Sequence, residues 1–180
     1  MRLQPKVRSL WEESKLRVRV MRAALASCFW GGDITPVGRL YATKISADGR
    51  REDLGLVSTK LVTDAGVAFI VDAFQNITEV ELFKFHASGT GTTAESAAQT
   101  ALITEVATRT SGTTTEGASA NIYRTVGTIT YSGSFAITEH GVLSASSGGT
   151  LLDRSVFAAI NVVSTDSIQF TYELTFPSGS

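Results

Sequence analysis

The chain has 180 residues, of which 43% are hydrophobic and 18% charged, enough for one ordinary domain and too apolar for disorder through weak hydrophobicity. No apolar run approaches the roughly 20 residues of a membrane-spanning helix, the single cysteine excludes an internal disulfide, and two histidines leave few ligands for a structural zinc. The net charge of −1 hides an asymmetry: residues 1–60 carry 12 Lys and Arg against 6 Asp and Glu, whereas residues 61–180 carry 4 against 11.

The first element in chain order is a basic arm, residues 1–33, whose first 22 residues hold seven basic and two acidic side chains. A basic tail on an acidic body marks an interaction arm, for an acidic protein surface, a neighbouring copy or, less favoured, nucleic acid. Ser9 to Ser14 reads as a short helical turn, and Lys15 to Val20 alternates charged and apolar side chains as a strand with one greasy face. Arg17, Arg19 and Arg22 are the candidate binding residues, with Trp11 and Trp30 as anchors, because Arg and aromatic side chains dominate interface energetics. Leu25-Ala26-Ser27-Cys28 mimics a lipidation signal. Only Ala23 to Ala26 separate Arg22 from Ser27, short of the apolar core such a signal needs, so Cys28 is expected as a small buried hydrophobe.

Residues 34–180 read as one β-rich domain. Val37 to Ser46 is a strand, Asp48-Gly49 a hairpin turn and Leu54 to Leu61 the returning strand. Thr63-Asp64 caps a helix whose apolar face is Val67, Ile70, Val71 and Phe74, ending near Gln75-Asn76. Val80 to Ala87 reads as a strand and Ser88 to Thr93 as a Gly/Thr loop. Thr92 and Glu95 have capping-box spacing, so residues 94–107 are expected as a modest helix carrying Leu102 and Val106. Thr108 to Ser119 reads as an exposed loop. Four strands follow, Ile122 to Tyr131, Ser134 to Ala145, Thr150 to Val163 and Ser167 to Phe176, and the last alternates cleanly from Ile168 to Phe176. About seven strands and two helices, with no helix between the last four strands, predict a mainly β fold: an antiparallel β-sandwich, jelly-roll or immunoglobulin-like, with one or two short helices and an extended N-terminal arm.

The constellations that could carry chemistry are weak. Gly89-x-Gly91-x-x-Ala94 has dinucleotide-fingerprint spacing, but Glu116, the only acidic residue at a suitable distance, falls in a Thr/Gly loop. Glu139-His140 and His86 invite an acid–base or metal reading, yet neighbours on a strand point to opposite faces, so structural histidines are expected. No nucleophile elbow occurs, and Asn76-Ile77-Thr78 is an isolated glycosylation sequon. The 23 Thr and 19 Ser are more informative, because hydroxyl-rich β surfaces can pack against other subunits without desolvating ions.

Val62 to Ile70, Phe83 to Glu95, Thr100 to Glu105, Ile137 to Leu143, Gly149 to Arg154 and Asp166 to Phe176 together resemble a group of tailed-bacteriophage virion structural proteins. The same order of segments also appears in some phage tail and fibre-associated proteins. The resemblance spans about residues 55–176. It implies a non-enzymatic virion component without cofactor or small-molecule substrate, assembled in the bacterial cytoplasm and not bound to membrane. Its expected partners are the major coat protein or other virion proteins, and it is expected to be a homo-oligomer, trimer or higher. A capsid decoration or cement role is favoured over a neck, tail or baseplate role, since the chain is compact, lacks a fibre repeat and carries a bridging arm. A carbohydrate-binding role through the Thr108–Ser119 loop is the competing expectation.

Overall fold

A computed structural model describes residues 35–177, whose compact body runs from Pro36 to Phe176. The arm, with Trp11, Arg17, Arg19, Arg22, Cys28 and Trp30, lies outside the described residues. The body holds strands β1 (Val37–Ile45), β2 (Arg51–Leu61), β3 (Phe85–Gly89), β4 (Thr110–Ser111), β5 (Thr113–Glu116), β6 (Ile122–Thr130), β7 (Phe135–Leu143), β8 (Leu151–Val162) and β9 (Ser167–Thr175). One helix, α1 (Asp64–Phe74), and one 3-10 turn, Val80–Leu82, complete the described elements.

The strands form two sheets, β2-β1-β9-β6-β5 and β4-β3-β7-β8, with antiparallel pairing throughout. Packed together, they make the β-sandwich expected from the strand pattern. β9 sits at the centre of the larger sheet, and Ile168, Phe170, Tyr172 and Leu174 point inward from it, all buried. They meet Leu40 and Ala42 of β1, Ile129 of β6, Ile137 and Val142 of β7, and Leu152, Ile160 and Val162 of β8 in one core. Alternation of apolar and polar side chains along β9 is the direct cause, because a period of two loads one face. Glu173 is the exception on the outer face, buried beside Arg124, whose Nη2 approaches its Oε1 to 2.6 Å. β2, an edge strand, departs from regular register twice against β1, between Leu40 and Tyr41 and between Ala42 and Thr43. Such bulges make an edge a poor template for uncontrolled pairing.

Three local expectations are corrected. Val80 to Ala87 is not one strand: Val80–Leu82 is a 3-10 turn, and pairing begins only at Phe85. The Phe83 side chain is fully buried against Phe69, and its carbonyl accepts from the Tyr123 hydroxyl at 3.0 Å, which leaves it out of the ladder. Residues 94–107 form no helix, for the reason given below. Thr108 to Ser119 is not simply a loop, since it contains β4 and β5.

The helix forms where expected but turns a different face inward. Thr63 caps it, its Oγ1 accepting the Gly66 amide at 3.0 Å. The Thr63 amide donates to the Leu152 carbonyl at 2.8 Å, which docks α1 on β8. Gly66 lies so close to that strand that a Cβ there would stand 2.8 Å from the Leu152 carbonyl oxygen. The inward face is therefore Gly66, Phe69 and Ile70, while Val67, Val71 and Phe74 of the predicted buried face are exposed.

Candidate functional site

β7 carries Glu139 and His140 side by side, and the pleat sends them to opposite faces. His140 points into the sandwich, where its ring lies 4.3 Å from that of Phe170. Its Nε2 is 3.0 Å from Nδ1 of His86 on β3, whose Nε2 is 3.1 Å from the Thr125 hydroxyl. Both histidines are fully buried. Burial holds His86 down to about 3, and burial together with the neighbouring His86 holds His140 well below its ordinary value. The two rings are therefore neutral at physiological pH and share one hydrogen bond.

Glu139 points the other way, beneath the segment that follows β3. Its Oε1 accepts the amides of Gly91 at 3.0 Å and Thr104 at 2.7 Å. Its Oε2 accepts the Ile103 amide at 3.0 Å and Arg154 Nε at 2.7 Å. Arg154 Nη1 donates onward to the Thr93 carbonyl at 2.9 Å and to Gln99 Oε1 at 3.2 Å. Glu139 and Arg154 are 0% and 2% exposed, so this is a buried ion pair; main-chain amides meet most of the Glu139 carboxylate's capacity, whereas Arg154 Nη2 has no partner among the described residues. Burial pushes the Glu139 carboxyl up, but the Thr104 and Ile103 amides, the Arg154 guanidinium and the Gly91 amide outweigh it and hold the group below its ordinary value.

This network explains the missing helix. The Ile103 and Thr104 amides are spent on Glu139, the Thr104 carbonyl on the Thr90 amide at 3.0 Å, and the Val106 amide on the Ser88 carbonyl at 3.0 Å. Glu95, expected to close a capping box, instead accepts the Val156 amide on β8 at 2.6 Å. The segment is stretched over the outer face of the smaller sheet, where Leu102 and Phe85 pack on a second apolar cluster of Ala87, Leu143 and Leu151. At its far side the Ala97 carbonyl accepts the Asp64 amide at 2.9 Å, which ties it to the first turn of α1.

The Gly89-x-Gly91 motif is thereby accounted for without a nucleotide. A Cβ at Gly91 would stand 2.5 Å from Glu139 Oε1 and 2.7 Å from the Ile103 Cβ, and one at Gly89 would overlap the Thr104 carbonyl. The loop amide that a phosphate would use at Gly91 is already given to the protein's own carboxylate. Gly91→Ala is expected to lower stability by about 1–3 kcal/mol, the usual cost of forced overpacking, read as a lower urea midpoint at unchanged slope. Glu116, at the end of β5 opposite Tyr123, is exposed and remote from this loop in register. Asn76 is exposed beyond the helix end with φ 59°, a left-handed conformation common at helix termini.

Arg154 was not singled out by sequence reasoning, although a signal exists. The turn around Ser146-Ser147-Gly148-Gly149 joins β7 to β8, and the resulting register sets Arg154 opposite Gly141, two residues along from Glu139. Among the described residues no three His, Cys, Asp or Glu side chains converge as a metal site requires, and no helix is long and apolar enough to cross a membrane. No family model, curated protein or solved structure matches this chain.

Proposed function

We propose that this protein is a non-enzymatic structural component of a tailed-phage virion, a capsid decoration or cement protein. On this reading it binds the coat-protein lattice and neighbouring copies through its basic arm and its hydroxyl-rich β surfaces. The observation that carries the reading is where the segments of the resemblance meet. Gly89 to Glu95, Thr100 to Glu105, Glu139 to Gly141 and Leu151 to Arg154 are far apart in the chain, yet they converge on the Glu139–Arg154 pair. Their charged groups face main chain and one another rather than an open cleft, which is the use a scaffold makes of them. The histidine pair is likewise buried and neutral, and so is poorly placed to exchange protons with a substrate.

The test is stoichiometry. Virions of the phage that encodes the chain are purified, and this protein is quantified against the major coat protein by mass spectrometry. A copy number comparable to the coat protein is the expected result. A small fraction of it would move the protein to the neck, tail or baseplate, where host-surface binding becomes the competing role. Absence from particles would overturn the virion reading.

A further inference from the structure

We propose that the outward face of α1 is a docking surface for the basic arm, residues 10–22, of a second copy of this chain. The inference rests on the virion-structural reading and names the surface through which copies join. Val67, Val71 and Phe74 recur at helical spacing on that face, and Ile77 follows just beyond the helix. They are 43%, 47%, 82% and 68% exposed. Single exposed apolar residues are ordinary, but a helical stripe continued by a fourth residue forms a patch of the kind that marks an interaction site.

The charge around the stripe selects its occupant. Residues 61–83 contain Asp64, Asp72, Glu79 and Glu81 and no Lys or Arg. Asp64 lies one turn before Val67 and Ala68 on the same helix face, and Asp64, Glu79 and Glu81 are exposed. Two such faces brought together would oppose carboxylate to carboxylate, which disfavours symmetric pairing. The arm is the complement. Lys15, Arg17 and Arg19 alternate with Leu16, Val18 and Val20, and Trp11 precedes them, so one segment offers both an apolar edge and cations.

Reach allows the contact between copies. Residues 23–34 separate the segment from the first described residue, and twelve residues extend to at most ~40 Å. A body of this length has a radius of gyration of about 14 Å, so the segment can pass beyond its own body to a neighbour.

The only two tryptophans are Trp11 and Trp30, so the body is silent and a Trp30→Phe version of the full chain reports on Trp11 alone. Trp11 emission and sedimentation velocity are followed over a dilution series. The expected result is a blue-shifted Trp11 that shifts red as the oligomer dissociates. Phe74→Lys, at an exposed position, is expected to weaken self-association about 30-fold, the loss of an aromatic hot spot, without moving the thermal unfolding of the body. A chain that is monomeric at all concentrations, self-association indifferent to Phe74→Lys, or a Trp11 shift independent of concentration would overturn the proposal. Normal incorporation into virions without self-association would discard this contact and keep the virion role. Absence from virions with Phe74-dependent self-association would do the reverse.

Discussion

Glu139→Ala is expected to destabilise the body by about 3–5 kcal/mol, the cost of breaking a buried ion pair from one side. The substitution strands the Arg154 guanidinium at 2% exposure and removes the common acceptor of the Gly91, Ile103 and Thr104 amides. The Gly91 donor is buried and those of Ile103 and Thr104 are part-buried, and an orphaned donor costs about 1–3 kcal/mol if it stays dry. Because Ile103 and Thr104 are exposed, the cheaper response is for the segment over the smaller sheet to lift and hydrate. Hydrogen exchange should therefore accelerate first at residues 90–106, while the amides of β9 keep their protection. Urea unfolding supplies the magnitude. Glu139→Gln keeps the shape and one acceptor and should lose less. Combining it with Arg154→Met, which removes the stranded charge, should recover part of the Glu139→Gln loss, a coupling that a double-mutant cycle measures. A loss below about 1 kcal/mol for Glu139→Ala, or uniform acceleration of exchange, would remove Glu139 as the anchor of that segment.

How legible this arrangement was depends on the range of the forces involved. The cleanest element, β9, was readable because alternation is a local pattern and its central position leaves one face fully buried. The hairpin turn at Asp48-Gly49 was readable for the same reason: the Gly49 amide donates to Ser46 and the Ser46 amide to Arg50. Residues 94–107 were misread because helical propensity is a weak prior that tertiary contacts override. The decisive partner of those amides is Glu139, 35 residues away from Thr104. The helix α1 was placed correctly and oriented wrongly, because both of its faces are apolar and only the close approach of Gly66 to Leu152 selects the inner one. Opposite orientation of Glu139 and His140 followed from the pleat alone, whereas their partners required knowledge of the strand order.

Stability should fall as pH drops from about 6.5 toward 5, and the buried histidines set this window. A histidine unfolds to an ordinary value near 6.5, whereas burial holds His86 at about 3 in the fold. Between those values the unfolded chain binds the proton and the folded chain does not, so acid favours unfolding. The contribution is neutral above about 6.5 and grows by about 1.4 kcal/mol for each pH unit below it. At pH 5 His86 alone should cost about 2 kcal/mol relative to pH 7.5. His140, also held well below its ordinary value, adds in the same direction. The Glu139 and Asp166 carboxylates do not produce this slope. Glu139 and Asp166 are held below their ordinary values, so their stabilisation is complete above about pH 4.5 and is lost only in stronger acid. Urea midpoints at pH 7.5, 6.5, 5.5 and 5.0 test the claim, with His86→Gln as the control, since an amide at that position can still meet His140 and Thr125. The wild-type protein should lose stability through the whole interval, and the variant should show about half the slope. A flat profile between pH 6.5 and 5.0 would mean that the fold admits a proton to the pair, by opening the interface between β3 and β6 to water.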